Sequence, residues 1–495
     1  MTNDSSSAPA LERLPSGIPG LDTVLGGGFF RSGVYIVHGQ PGSGKTIFAN
    51  QLCYGHVAQG GRAVYVTLLA ESHARMLQHL RPMSFFQESA IPDRLSYISA
   101  FHDLESDGLK GLMSVLRREM RARAVSVLVL DGLVAAAEAA QTDRELKKFI
   151  HELQTSAVFH HCTVFLLTSG STQRVNAEHT MVDGLLELED RLYDARAQRA
   201  IQVRKFRGGG FLRGKHAFRI SNDGLEVFPR IEAAYTAPPE CRATTQVLSS
   251  GVPTLDQLVR SGGVPAHSAT VVVGSSGTGK TTLGLHFLAA ATPQEPGLLF
   301  GFFEAPHRLR AKAAAFGMDL AGLEASGAVS LMWQSQGEHV LDELAHRLLA
   351  AVRERGVKRL VIDGLGGFFE SSVHPERTTR FFSCLTNELR REGVTVLMTM
   401  ETTNIVGGTI GTRFGVSGFV DNLLFIRFTE AGGHIKRLIS ITKMRDSDFH
   451  PGLHLMEIGA QGVRISGVYS ADGDVIPRAH EMSRFLPGER SDDEV

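Results

Sequence analysis

The sequence predicts an α/β chain built as two tandem copies of one domain. Each copy is a mostly parallel sheet with helices on both faces and antiparallel strands closing one edge. Three observations carry this. An internal repeat spans nearly all of the 495 residues. Within each copy, short β-rich apolar runs alternate with stretches of helical periodicity. The first strong apolar run of each copy ends in a glycine-rich loop closed by Lys-Thr.

The repeat opens with "LPSGIPGLDTVLGGGFFRSGVYIVHGQPGSGKT" at Leu14 and again with "LSSGVPTLDQLVRSGGVPAHSATVVVGSSGTGKT" at Leu248. Later landmarks recur 232 to 238 residues apart, so the whole unit is duplicated rather than one motif. "VSVLVLDGL" returns as "VKRLVIDGL", and "VRKFRGGG" returns as "ITKMRDSD". This sets the expected domains at residues 14–235 and 248–475. A linker of turn-forming composition joins them at 236–247. Residues 1–13 and 476–495 are polar and read as loosely held ends.

In chain order, "VYIVHG", "RAVYVTLL", "SVLVLDG" and "CTVFLLTS" are buried parallel strands, and "DRELKKFIHELQTSAVFHH" is a helix between the last two. "LLELEDRLYD", "RAIQVRKFR" and "HAFRISNDGLEVFP" supply the antiparallel edge. The loops bind phosphate because backbone N–H groups can converge on an anion only where side chains are absent. Gly39, Gly42 and Gly44 do this in the first copy, and Gly274, Gly277 and Gly279 in the second, with Ser43 and Thr278 as further ATP-binding loop residues. The following helix directs its N-terminus at the anion. Lys45 and Lys280 are placed to reach the terminal phosphates of ATP, and Thr46 and Thr281 to ligate Mg²⁺. Asp131 and Asp363, each at the end of an apolar strand, complete the metal sites. Glu71 and Glu304 follow the second strand of each copy and are the expected water-activating carboxylates.

Composition narrows the class further. A formal net charge of −1 does not point to a general polyanion-binding surface, and the four cysteines have no metal-ligand spacing. The polar N-terminus is unlike a signal peptide, and no apolar run approaches a membrane span, so a cytoplasmic location with buried free thiols is expected.

With these motifs in place the chain resembles the KaiC family of RecA-like P-loop ATPases. The further carriers are "SGIPGLD" and "SGVPTLD", "RGKHAFRISNDGLEVFP", "FGMDL", "DNLLFIRFTE" and "KMR". The resemblance implies a double-ring homohexamer with ATP between neighbouring subunits. It implies ATP hydrolysis in the first ring, and ATPase with Ser/Thr autokinase activity in the second. It also implies that Lys205 with Arg207, and Lys443 with Arg445, reach the nucleotide of an adjacent subunit, and that a partner signalling protein exists.

Two departures stand out. Clock-type members carry paired Glu residues where this chain has Ala70 and Phe303 beside the single carboxylates. The family's phosphorylated pair aligns with Ser417 and Gly418, which leaves Ser417 as the possible phosphosite, with Thr409 and Thr412 nearby. The alternative is a DNA-acting ATPase of the RecA/RadA type. Residues 169–180 and 401–415, where such a protein needs strand-binding cations and aromatics, are poor in both, so nucleic acid is not the expected partner. A module that uses nucleotide only to assemble is the third reading.

Overall fold

The computed structural model describes residues 12–68, 73–169, 180–236, 245–335, 337–402, 418–431, 433–469 and 475–476. The chain divides into two compact units between Ala234 and Tyr235.

In the first unit a short antiparallel pair, β1 (Arg13–Leu14) and β2 (Phe29–Phe30), precedes the main sheet. The sheet comprises β3 (Val34–Gly39), β4 (Ala63–Thr67), β5 (Leu95–Ser99), β6 (Val127–Asp131), β7 (Thr163–Thr168), β8 (Gly184–Tyr193), β9 (Arg196–Phe206), β10 (Lys215–Ser221) and β11 (Gly224–Phe228). Its nine strands run in the order β11-β10-β9-β8-β3-β7-β6-β4-β5. The pairings among β8, β3, β7, β6, β4 and β5 are parallel, and β9 to β11 add antiparallel strands at one edge.

The second unit repeats this plan. After a short pair, β12 (Val247–Leu248) and β13 (Val264–Pro265), come β14 (Ala269–Gly274), β15 (Gly297–Gly301), β16 (Val329–Trp333), β17 (Arg359–Asp363), β18 (Thr395–Glu401), β19 (Asn422–Ala431), β20 (His434–Lys443), β21 (His454–Gly459), β22 (Gly462–Tyr469) and β23 (Val475–Ile476). The ten strands from β14 to β23 form one sheet in the order β16-β15-β17-β18-β14-β19-β20-β21-β22-β23.

The apolar runs are continuous because both faces of the sheet are covered. Along β3, Tyr35 and Val37 pack with Phe48 and Leu52 of the helix Lys45–Ala58. Their neighbours Val34 and Ile36 pack on the other face with Leu112 and Leu116 of the helix Phe101–Ala122 and Ile150 and Leu153 of the helix Asp143–Phe159. In the second unit Val272 packs with Leu283 and Phe287 of the helix Lys280–Ala289. No helix among the described residues is long and apolar enough to cross a membrane.

The four strands and the helix expected in the first copy are present within a residue or two of their expected ends, as is the antiparallel edge. β5 and β16 were not anticipated. Each lies at the parallel edge of its sheet and is only partly buried, so its run of apolar residues is weak.

Candidate functional site

Both glycine-rich loops leave the C-terminal end of a central strand and enter a helix directly. Gly44, with φ of 98°, and Gly279, with φ of 100°, are the residues before helices Lys45–Ala58 and Lys280–Ala289. That left-handed conformation turns the chain so that the loop and the first helical turn face one point. Space is as restrictive as angle at Gly39, where a Cβ would stand 2.4 Å from Ser43 Oγ and 2.6 Å from the Leu188 carbonyl oxygen.

The lysines lie back along their loops. Lys45 Nζ donates to the carbonyls of Gly39 (2.7 Å) and Gln40 (3.0 Å), and Lys280 Nζ to that of Ser275 (2.8 Å). Burial lowers the pKa of both ammonium groups. Asp131 opposes the shift at Lys45, and Glu401 with Asp363 oppose it at Lys280.

The strand-end carboxylates face the same helix starts. In the second unit the Thr281 hydroxyl donates to both Asp363 oxygens at 3.1 Å, and Thr399 Oγ1 donates to Asp363 Oδ1 at 2.7 Å. Burial raises the Asp363 pKa despite these two hydroxyls. In the first unit Tyr65 donates its phenol to Asp131 Oδ2 at 2.7 Å. Lys45, Thr46 and Asp131 line one cavity of about 770 Å³ that also takes in Thr67, His73 and Glu138.

The residues fit the ligand expected from sequence. Hydroxyl and carboxylate oxygens suit Mg²⁺, which takes few protein ligands and keeps several waters. Ser43 Oγ and Ser275 Oγ, one in each loop, are buried without a hydrogen-bond partner, and a phosphate oxygen would satisfy such groups.

The other expected residues fall in several places. Glu304 lies just past β15 and pairs with Lys312 of the helix Pro306–Ala315. Both are close enough for their charges to act on Asp363. Phe303, where the resemblance expects a second carboxylate, is half exposed, and its Cε2 would stand 2.4 Å from a Cβ at Gly364. Glu71 and Ser417 lie outside the described residues, as do Thr409, Thr412 and most of the two loops weighed for DNA contact. Counted from the strand ends Thr67 and Gly301, Glu71 falls one position later than Glu304.

The two Lys-x-Arg pairs are far from the loops of their own units. Lys205 is level with Leu185, and Leu185 with Ile36, three residues short of Gly39 on β3. Lys443 is level with Leu423, and Leu423 with Val271, three residues short of Gly274 on β14. At a rise of ~3.3 Å per residue this puts each pair about 10 Å along the strand, toward the opposite end of the sheet. There Lys205 Nζ donates to the Thr180 carbonyl (2.6 Å) and Arg207 to those of Thr180 and Met181. Lys443 Nζ donates to the Val420 carbonyl (2.7 Å), and Arg445 pairs with Asp421 at 3.3 Å.

Sequence reasoning missed Tyr65, Thr399, Lys312 and Glu401. Glu401 could have been found, since it ends a strand whose partner residue is Gly274, the first glycine of the second loop. The rest depend on which side chains meet across neighbouring elements.

Known proteins resemble the chain over nearly its whole length. A family model described as "ATPase: KaiC" matches residues 14–232 and, again, 248–468. A protein named circadian clock oscillator protein KaiC from a Picosynechococcus strain is 24% identical, covering 98% of each chain. Proteins of the same name from Acaryochloris marina and Thermosynechococcus vestitus are 26% and 25% identical. They cover 91% and 93% of this chain, and are themselves covered over 88% and 90% of their lengths.

Proposed function

The chain belongs to the KaiC ATPase family, and from that premise we propose an ATP-hydrolysing switch with one Mg-ATP site in each of its two units. One observation carries the reading: the same strand, loop, lysine and strand-end aspartate are built twice in one chain.

In each site the loop glycines and helix N-terminus bind the phosphates through backbone N–H groups, and Lys45 or Lys280 neutralises the terminal phosphates. Thr46 with Asp131, and Thr281 with Asp363, would hold Mg²⁺, which would supply charge neutralisation to the phosphates. Glu71 and Glu304 orient the attacking water and accept its proton. Lys205 with Arg207, and Lys443 with Arg445, act on the nucleotide of a neighbouring copy, since their place along the sheet keeps them from their own loop. Copies therefore assemble into a ring, a homohexamer by analogy with the family, and hydrolysis depends on assembly. A second nucleotide pocket lets one ring respond to the state of the other, which a simple hydrolase does not need. The domains are read as residues 14–235 and 248–475, and the location as cytoplasmic. Family membership does not favour the DNA-acting alternative.

The test is to measure turnover, nucleotide retained per chain and oligomeric mass for Lys45→Ala, Lys280→Ala and the double variant. Each single variant is expected to retain about half the nucleotide, and the double variant none. Full retention by the double variant overturns the assignment of both loops. The reading extends to Ser417 as phosphoryl acceptor in the second unit. Incubation with γ-labelled ATP decides it, and equal label on Ser417→Ala removes that residue.

A further inference from the structure

We propose that each metal-binding aspartate is aimed by one neutral hydroxyl from an adjacent strand, and that the two units take this hydroxyl from opposite sides. The inference rests on the Mg-nucleotide reading above and names positioning residues within it. In the first unit the donor is Tyr65 of β4, whose hydroxyl reaches Asp131 Oδ2 at 2.7 Å. In the second it is Thr399 of β18, which donates to Asp363 Oδ1 at 2.7 Å and accepts the Gly364 N–H at 2.8 Å. β4 and β7 flank β6 on its two sides, as β15 and β18 flank β17.

The exchange is reciprocal. Leu167 is level with Val37, the fourth residue of β3, and Thr399 is level with Val272, the fourth residue of β14. Tyr65 is level with Val129, the third residue of β6, and Leu299 with Val361, the third residue of β17. The unit that has the tyrosine thus has leucine at the threonine position, and the unit that has the threonine has leucine at the tyrosine position. All four side chains are buried, at 2% exposure or less. A hydroxyl is polar enough to demand a partner there, and the only chemistry the pair shares is donation to the carboxylate.

A neutral donor suits this task. It fixes the rotation of the carboxylate without cancelling the charge that attracts the cation, as an Arg or Lys partner would. The alternation explains how one family of strands keeps the same function with unlike residues.

The experiment uses the full chain with Lys280→Ala, so that only the first loop holds nucleotide, and a fluorescent ATP analogue whose binding is titrated with Mg²⁺ and repeated in EDTA. Tyr65→Phe is expected to raise the Mg²⁺ needed for half-maximal binding about tenfold, with binding in EDTA unchanged. Adding Leu167→Thr to Tyr65→Phe is expected to bring the requirement back toward that of the parent. In the Lys45→Ala background, Thr399→Val is expected to raise the requirement similarly, and Thr399→Ser to leave it near the parent. Thermal midpoints without nucleotide identify any variant that fails to fold, and the unit that folds then carries the test. An unchanged Mg²⁺ requirement in Tyr65→Phe or in Thr399→Val overturns the proposal, as does equal loss in Thr399→Val and Thr399→Ser. If the parent binds the analogue without any Mg²⁺ dependence, the metal reading itself fails, and that result is distinct from either.

Discussion

Glu304 meets Lys312 rather than standing alone at its strand end. An ammonium partner occupies lone pairs that a water-activating carboxylate needs. The position before it is Phe303, so the second unit has one restrained carboxylate where the clock-type pattern has two. Lys312 is supplied by a helix that begins at Pro306, and the corresponding helix of the first unit, His73–Leu80, has Gln78 at the equivalent position counted from His73 and His307. In the Lys45→Ala background, Glu304→Gln is expected to slow turnover about 100-fold while ATP affinity holds. Lys312→Met is expected to raise turnover by releasing the carboxylate. Both are read as steady-state phosphate release, and unchanged rates in both variants would mean that another group handles the water, with Glu401, whose charge acts on Lys280, the next to test.

The loop helix is tied to the antiparallel edge in both units, but with different chemistry. Gln51 accepts from the Leu225 N–H at 2.6 Å and donates to the Leu225 carbonyl at 3.1 Å. At the matching place His286 Nε2 accepts from the Val463 N–H at 3.0 Å, which requires a neutral ring. Burial lowers the His286 pKa below its ordinary 6.5. In the first unit His56, at the far end of the loop helix and 2.6 Å from Ser126 Oγ, is pushed down to about 4 by burial, with Arg31 adding to the effect. With folded-state values below the unfolded one, the unfolded chain takes up more protons as pH falls. These groups therefore contribute full stability above about pH 6.5 and lose it as pH falls, toward about 4 for His56. Trp333, the only tryptophan, lies in the second unit on β16 and reports its unfolding alone. Its thermal midpoint is expected to fall between pH 7 and 5, and His286→Gln is expected to flatten that slope. The helix, the loop and the edge strands were legible in the sequence because glycine spacing and apolar runs are local signals. The His286–Val463 link was not, since it joins residues 177 apart through a hairpin register that no local pattern encodes. Tyr65 and Thr399 were hidden for the same reason: each reads as one more strand residue until its neighbour across the sheet is known.

The placement of Lys205 with Arg207 and of Lys443 with Arg445 gives the assembly its sharpest test. Their motif was legible in the sequence, but their end of the sheet was not, because it follows from the antiparallel register of β8 with β9 and β19 with β20. On the proposed function, a cation held away from its own loop serves another copy, and a head-to-tail contact of this kind closes into a ring. The loop and the cation of one chain then act at two different interfaces, so defects in them should complement between chains. In a Lys280→Ala background, Arg207→Ala is expected to lower first-site turnover about 1,000-fold, and Lys45→Ala to abolish it. Co-expressed in equal amounts, the two defective chains restore an intact loop facing an intact arginine at about a quarter of the interfaces of a randomly mixed ring. Turnover of the mixture is therefore expected near a quarter of the parent's, far above either variant alone. If both groups served the nucleotide of their own chain, the mixture would be no more active than the average of its parts, whatever ring it formed.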